Sequence, residues 1–216
     1  MMNLEMMFEA TKLTGDSSFY YIAEDHANTT MKNHFRSDNS SYHVVSFDPE
    51  KGEVEKKNTH QGHSHESSWS HGQAWGLYGF ATASRYTKNP EFLDQSRKIA
   101  SYIFSNPNLP EDLIPYWDYD AQNIPIEPRD VSAAAITAAG LYELSNHDAQ
   151  NAKKYMGWAD TILENLNSKK YQSDIAPFFI KHSVRSIPGE FEVDAPIIYA
   201  DYYYIEVLLR QLEIQG

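Results

Sequence analysis

The chain has 216 residues, of which 41% are hydrophobic and 13% aromatic, so it holds enough apolar material to bury a sizeable core and is not a disordered protein. Its formal net charge of -12 argues against a nucleic-acid partner, because nucleic-acid-binding proteins owe much of their affinity to clustered Lys and Arg. It contains no cysteine, which excludes disulfides and thiolate metal sites.

The sequence also gives no sign of a membrane partner. No apolar run is long enough to be read as a membrane span. The first residues lack the charged and apolar regions of a signal peptide. The compartment therefore stays open between cytoplasm and periplasm.

The first predicted elements are two helices joined by a tight turn. Residues 1–13 carry Leu4 and Phe8 at helical spacing, and residues 17–35 resume the same period after a polar break at residues 14–16. This pattern indicates a helical hairpin.

A long connection, residues 38–70, follows this hairpin. Side chains alternate along residues 42–47, and residues 48–52 read Asp-Pro-Glu-Lys-Gly, which is a strong turn signal. We therefore expect a small β-hairpin inside the connection. Loops of this length in a compact domain are usually functional.

The order of helix, turn and helix returns twice, at residues 72–104 and 131–166, and a last helix is predicted at residues 199–212. The first helix of each pair is interpreted as apolar nearly all round and the second as amphipathic. The first should then lie inside and the second outside. A second long connection, residues 106–130, contains five prolines.

Repeated inner and outer helices predict an all-α fold of the α/α toroid type, with one small β-hairpin in a long loop. Seven helices do not close such a ring, and the first helix is interpreted as having no Ser, Thr, Asp or Asn in place to cap it. We therefore expect residues 1–216 to form a single but incomplete domain whose N-terminal helices are missing. Its hydrophobic flank would stay open or be covered by a second copy of the chain.

The densest candidate site is the segment 59–75, which combines imidazoles, amides and the indoles of Trp69 and Trp75. An indole packs on the C–H face of a sugar ring, while amides and imidazoles hydrogen-bond its hydroxyls. The composition therefore indicates a carbohydrate site. The alternative is that both indoles are core anchors and the polar residues lie in a solvated loop.

The same segment raises the alternative of a metal site, because His is the commonest metal-binding side chain. Four histidines lie close together: His60, His63, His65 and His71. Their irregular spacing matches no zinc motif, and no cysteine accompanies them. We assign no metal and no other cofactor.

Carboxylates are the other candidate catalytic groups, since glycoside hydrolysis usually requires a pair of them. Asp118 and Asp120 alternate with aromatic residues and would lie together on an extended segment. The alternative is that they accept backbone hydrogen bonds in a surface loop. Asp130 stands where a helix N-cap is expected, and Asp201 is open between a cap and a site residue.

A family resemblance is carried by seven stretches that run in order along nearly the whole chain. They are SSYH at residues 40–43, THQG at 59–62, SW at 68–69, GQAWGLYGF at 72–80, YWD at 116–118, RDVSAAAI at 129–136 and DYYYIE at 201–206. In these stretches the chain resembles the unsaturated glucuronyl hydrolases, glycoside hydrolase family 88. The match of many ordered stretches is far more specific than any one of them.

The resemblance implies an (α/α)6 toroid with its site at one end, built from the long loops. The implied substrates are oligosaccharides, of glycosaminoglycan type, that carry a 4,5-unsaturated uronic acid at the non-reducing end. In the implied mechanism a general acid protonates C4 of the vinyl ether, water adds at C5, and the resulting hemiketal opens to release the remaining saccharide. We expect a glycoside hydrolase by family.

Five positions of the chain match residues that line the saccharide site in the family: His43, Gln61, Trp69, His71 and Trp75. By this resemblance both indoles would stack on sugar, while His43 and Gln61 would hydrogen-bond it. His71 stands where some relatives have Arg, which changes an anion contact.

The resemblance also implies where the catalytic carboxylates fall. The catalytic Asp of the family would lie two positions before Met1, with a second essential Asp further upstream. No residue of this chain is therefore assigned as catalytic. The competing expectation is a non-catalytic saccharide-binding or assembly module.

Overall fold

The computed structural model describes residues 1–215 and contains, within them, seven α-helices and one antiparallel two-stranded sheet. The elements are α1 (Leu4–Thr14), α2 (Ser18–Asn33), β1 (Val44–Phe47), β2 (Val54–Asn58), α3 (Ser70–Thr87), α4 (Pro90–Ser105), α5 (Val131–Ser145), α6 (Ala152–Leu166) and α7 (Ile198–Gln215). Each predicted element is present, which confirms a helical fold with one small hairpin. Across residues 1–215, no helix has both the length and the apolar character needed to cross a membrane.

Helix α5 lies at the centre of the helical layer, and all of its residues are buried. It packs against α3, α6 and α7. A Cβ added to Gly140 of α5 would lie 3.0 Å from Cα of Tyr78 on α3, so the two backbones approach too closely for a larger residue. In the pairs α3–α4 and α5–α6 the apolar helix lies inside and the amphipathic helix outside, as predicted.

The first pair departs from that prediction. Leu4 and Phe8 are the buried residues of α1, whereas Met6 and Leu13 are exposed, so α1 is amphipathic instead of apolar all round. The reason is that α1 packs on α2 and α3 at an edge of the layer. Asn3 occupies its N-cap position without a side-chain cap bond, which corrects the expectation that no capping residue type stands there. Large apolar side chains are also exposed on α7: Ile198, Tyr202, Ile205, Leu209 and Leu212.

The inner helices α3, α5 and α7 run in the same direction. Near their amino-terminal ends, His71 of α3 contacts Asp130, which caps α5. Near their carboxy-terminal ends, Glu143 of α5 contacts Arg85 of α3 and Arg210 of α7. The layer therefore has two ends with different chemistry.

Side chains cap two of the helices, α5 as the sequence predicts and α4 in addition. Asp130 caps α5, because its Oδ1 accepts hydrogen bonds from the backbone N–H groups of Ser132 and Ala133 at 3.0 and 3.3 Å. Asn89 caps α4, with Pro90 in the first turn of the helix.

Asp201 does not cap α7, which corrects one interpretation, and it does not line the cavity that the predicted site residues share. Helix α7 begins at Ile198, so Asp201 lies inside its first turn. Its Oδ1 accepts from the backbone N–H groups of Phe179 and Ile180, both at 3.1 Å. The carboxylate therefore holds the preceding loop against α7.

Candidate functional site

The β-hairpin places His43 beside the segment that follows its second strand. Strands β1 and β2 pair with Val44 opposite Asn58, so the residue before β1 lies next to the residues after β2. The backbone N–H groups of His60 and Gln61 donate to Nδ1 of His43 at 3.2 and 3.1 Å. The predicted hairpin is thus confirmed, and it joins two segments that are separate in sequence.

These two backbone donors determine the chemical form of the His43 ring. Because Nδ1 accepts both bonds, the proton of the neutral ring lies on Nε2. Burial lowers the pKa of His43 to about 4, and the neighbouring His60 and His71 rings act in the same direction. At neutral pH the ring is therefore an uncharged hydrogen-bond donor through Nε2.

Trp69 lies between the hairpin and the start of α3 and is packed against two imidazoles. Its ring centroid is 4.4 Å from that of His43 and 5.1 Å from that of His71, and the His71 ring is nearly parallel to the indole at 13°. Only 7% of Trp69 is exposed. The indole therefore offers little free surface on which a sugar ring could stack.

His71 lies behind Trp69 and is held by residues at the start of α5. Its Nδ1 is 3.4 Å from Oδ2 of Asp130 and 3.1 Å from Oγ of Ser132. Its ring centroid is 5.2 Å from that of Trp75. Asp130 thus serves both as a helix cap and as the partner of His71. The second role is not visible in the sequence, because the two residues are far apart along the chain.

Trp75 is the more accessible of the two indoles. It is half-buried and follows His71 by about one helical turn on α3. Tyr203 of α7 packs edge-on against it, with ring centroids 5.1 Å apart, which restricts the orientation of the indole. The amide of Gln61 is also oriented, because its Nε2 donates to the backbone oxygen of Arg185 at 2.8 Å.

Four of the five predicted site residues line a single cavity of about 360 Å³: His43, Gln61, Trp69 and Trp75. The fifth, His71, contacts both indoles from behind and does not line the cavity. The two indoles therefore share one cleft, as the carbohydrate interpretation requires.

The further residues that line this cavity include three polar ones that the sequence patterns did not single out. His26 and Thr30 lie four residues apart on one face of α2, and His34, the C-cap residue of that helix, continues the same interval. The spacing is visible in the sequence. A helical period alone does not show, however, which face of α2 meets a cavity.

The carboxylates Asp118 and Asp120 do not face the cavity. Oδ2 of Asp118 accepts from the N–H of His63 at 2.8 Å and from Oγ of Ser67 at 2.7 Å. Burial raises the pKa of Asp118, although these donors oppose the effect. Asp120 accepts from the N–H of Ser68 at 2.8 Å. The structure therefore supports the alternative in which both carboxylates hold a loop.

The histidines of the same loop do not converge on a common point. His65 Nδ1 accepts from the N–H of Thr59 at 3.2 Å, and His63 packs edge-on against Trp117. Over the 215 residues that the structure describes, no group of three or more His, Asp or Glu side chains is arranged to hold a metal ion.

A larger and more open depression of about 730 Å³ lies beside α4. Its lining includes Asp38, Arg97, Lys98, Tyr102 and Asp120. It contains none of the five predicted site residues and no indole. Its greater size therefore does not make it the better candidate for a sugar ring, which requires an apolar face as well as hydrogen bonds.

The cavity lies at the amino-terminal end of α3, and its lining includes Gly72 in the first turn of that helix. The amino-terminal ends of α5 and α7 lie close by, because Asp130 and Tyr199 both contact His71. Helix amino termini carry partial positive charge. Carboxylates already occupy the ends of α5 and α7, as Asp130 and Asp201, whereas α3 has no side-chain cap, so it is the amino-terminal end of α3 that suits an anionic group.

Paired inner and outer helices define the class of α/α toroid proteins, and the indole- and imidazole-lined cavity is of a kind that accommodates sugar rings. Over 214 residues the chain is 44% identical to the unsaturated glucuronyl hydrolase of Formosa agariphila, a match that covers 98% of this chain and 53% of the relative. A crystal structure of an unsaturated glucuronyl hydrolase specific for heparin superposes with a TM-score of 0.96 at 44% identity, covering 99% of this chain and 58% of that one. Over nearly its whole length the chain is therefore similar to the unsaturated glucuronyl hydrolases.

Another relative extends this result. The unsaturated glucuronyl hydrolase of Bacillus sp. strain GL1 is 36% identical over 215 residues, which is 97% of this chain and 56% of the relative. The chain thus spans about half the length of the curated relatives that it matches. No protein-family model matches it.

Proposed function

We propose that the cavity binds the unsaturated uronic acid at the non-reducing end of lyase-derived oligosaccharides, and that the chain works in the hydrolytic removal of this sugar. The observation that carries the proposal is the single cavity shared by His43, Gln61, Trp69 and Trp75. A structure of a variant unsaturated glucuronyl hydrolase from Streptococcus agalactiae, 32% identical with a TM-score of 0.84 and covering 97% of this chain and 56% of that one, is complexed with dGlcA-GalNAc6S.

The cavity supplies both kinds of contact that a pyranose ring needs. Trp75 presents the more accessible indole surface, against which the C–H face of a sugar packs. His43 donates from Nε2, because backbone amides occupy its Nδ1. Gln61 is fixed through its Nε2, so its carbonyl oxygen serves as the acceptor on the same wall.

A uronic acid also carries a carboxylate, which needs a favourable electrostatic environment. The amino-terminal end of α3, which has no side-chain cap, supplies partial positive charge beside the cavity. His71 lies behind the indoles, with its Nδ1 turned towards Asp130 and Ser132. We propose that these groups together favour an anionic sugar over a neutral one.

The chemical step requires an acid that delivers a proton to C4 of the vinyl ether and a water that adds at C5. Among residues 1–215, no carboxylate lines the cavity. Since burial keeps the pKa of His43 at about 4, its ring carries no acidic proton at neutral pH. The residues of the cavity therefore bind and orient the sugar, and none of them is given the role of the acid.

The same observation favours a second candidate function, which is saccharide binding without turnover. A cavity with indoles and neutral donors but no carboxylate has what binding needs and lacks the group that most glycosidases use for proton transfer. The two candidates differ in whether the double bond of the sugar survives.

The test uses the purified chain and the disaccharide dGlcA-GalNAc6S. Binding is measured by isothermal titration calorimetry, and turnover by loss of the ultraviolet absorbance of the conjugated double bond. Binding with loss of absorbance would support the hydrolase. Binding with stable absorbance would support the module that only binds, and no binding at millimolar disaccharide would refute both.

A further inference from the structure

One face of α2 forms a wall of the cavity that the proposed function has not yet used. His26, Thr30 and His34 lie at successive turns of this face, and they line the same cavity as His43 and Trp75. Thr30 is buried and His34 is half-buried, whereas His26 is exposed, so Thr30 and His34 form the enclosed part of this wall.

His34 lines the cavity with a ring whose protonation state can be assigned. Within the described part of the chain its Nδ1 is buried and has no hydrogen-bond partner. Buried polar atoms without partners are uncommon in folded proteins, and such an atom requires an explanation. Burial lowers the pKa of His34 to about 4, with further lowering by nearby positive groups that include His26 and His43. The ring is therefore neutral at neutral pH.

The sealed Nδ1 indicates which nitrogen carries the proton. An N–H group without an acceptor is rarer in folded proteins than an acceptor that lacks a donor. The proton of the neutral ring therefore belongs on Nε2. Because His34 lines the cavity and its Nδ1 is sealed off from solvent, we assign Nε2–H as the donor that it offers there. Thr30, one turn earlier, adds a hydroxyl that both donates and accepts.

We infer that α2 is a second hydrogen-bonding wall of the saccharide site, in which Thr30 and His34 contact the hydroxyls of the sugar that packs on Trp75. This inference rests on the proposed function and adds two residues that select among saccharides. Neutral donors and a hydroxyl match the hydroxyls of a sugar, whereas its carboxylate is better served by the amino-terminal end of α3.

The test compares two adjacent threonines. Thr30→Val removes the hydroxyl in the cavity and keeps nearly the same shape, while Thr29→Val makes the same change at the exposed neighbouring position. His34→Leu removes the ring donor, and His34→Gln restores an amide donor. Affinity for dGlcA-GalNAc6S is measured by calorimetry for each full-length variant, and folding is checked by thermal unfolding.

We expect Thr30→Val and His34→Leu each to weaken binding about 3- to 10-fold, the effect of one lost neutral hydrogen bond. His34→Gln should recover part of the loss, and Thr29→Val should bind as the wild type does. Wild-type affinity in both Thr30→Val and His34→Leu would overturn the inference. So would an equal loss in Thr29→Val and Thr30→Val, because the effect would then not come from the cavity.

A further variant separates this inference from the proposed function. Trp75→Ala removes the platform on which both depend. If it binds the disaccharide as well as the wild type, the proposed function fails. If it loses binding while Thr30→Val and His34→Leu keep it, only the α2 wall is refuted.

Discussion

The two ends of the inner helices solve the problem of burying polar groups in opposite ways. At the carboxy-terminal end, Glu143 is almost fully buried, and its oxygens lie 3.3 Å from Nε of Arg85 and 2.7 Å from Nη1 of Arg210. At the amino-terminal end, the cavity is lined by neutral imidazoles, amides and indoles. Ionic groups are paired with one another at one end, whereas neutral groups remain able to bind a ligand at the other.

Stability and binding therefore depend on opposite ends of the inner helices. Burial alone would raise the pKa of Glu143, but Arg210 and Arg85 outweigh that effect and hold the pKa below its usual value. The ion cluster joins α3, α5 and α7 and therefore belongs to the framework. Among residues 1–215 the lining of the cavity holds amides and imidazoles but no carboxylate, which makes contact with a sugar less costly in desolvation.

The largest effect is expected from breaking the ion cluster. Glu143→Gln removes the counter-charge that Arg85 and Arg210 share, while Glu5 and Glu206 still pair with them, so the free energy of unfolding should fall by about 2 kcal/mol. Urea unfolding followed by circular dichroism measures the change. The exposed Glu164→Gln is the matched control and should change it by less than about 0.5 kcal/mol. Saccharide affinity of folded Glu143→Gln should equal that of the wild type, and a loss would contradict the separation of the two ends.

The same cluster has a defined dependence on pH. Because the folded-state pKa of Glu143 is lowered, its contribution to stability is fully present above the ordinary Glu pKa of about 4.3 and is lost as the pH falls through the folded value. The stability difference between wild type and Glu143→Gln should therefore shrink in acid. A difference that stays constant down to acid unfolding would argue against the ion cluster as its source.

Removal of the accessible indole should have the next largest effect, and it should affect binding. Trp75→Ala takes away the apolar surface for the sugar, so affinity for dGlcA-GalNAc6S should fall about 10- to 100-fold. Trp158→Ala is the control, because Trp158 stacks on Phe104 at 3.9 Å and does not line the cavity. It should lower stability and leave the affinity of the folded protein unchanged. Equal affinity losses in both variants would mean that the cavity is not the binding site.

Substitution of His43, at the cavity end, should lower both the free energy of unfolding and the affinity for the saccharide. His43→Leu deprives the N–H groups of His60 and Gln61 of their acceptor, so the free energy of unfolding should fall by about 1 kcal/mol and saccharide binding should weaken with it. His43→Asn keeps a side-chain acceptor and should lose less in both measurements. If His43→Leu changes neither quantity, the hydrogen bonds of His43 contribute to neither stability nor binding.

The smallest effect is a change in how stability depends on pH. The pKa of His43 is near 6.5 in the unfolded chain and about 4 in the folded one, so between these values the unfolded state binds the extra proton. The contribution of His43 to stability should therefore decline as the pH falls from about 6.5 towards 4. Unfolding measured at several pH values should show a shallower decline in His43→Asn. A steeper decline would contradict the neutral ring.

The sequence predicts the helices well, because their periodicity is a local property. Pro90 and Asp130 mark helix starts, and the apolar run of α5 shows that it is buried on all sides. The β-hairpin was also predictable, since the turn residues 48–52 fix its position. Each of these features depends on residues that are close in the chain.

Features that depend on distant residues were not predictable from pattern alone. Trp69 is identified as a site residue by resemblance, but its coverage by His43 and His71 appears only in three dimensions. Asp is a residue type that often caps helices, yet Asp201 accepts hydrogen bonds from the backbone of a loop about twenty residues earlier. Likewise, the cavity face of α2 is set by its packing and not by its sequence period.

The hairpin that carries His43 and Gln61 constrains how relatives of this chain can vary in length. Successive residues of a strand point to opposite faces, so one residue inserted in β1 or β2 would turn a binding side chain away from the sugar. Extra residues at the tip, between Phe47 and Val54, would leave both arms in place and cost little. Insertions and deletions in relatives should therefore occur at the tip, while β1 and β2 keep their lengths.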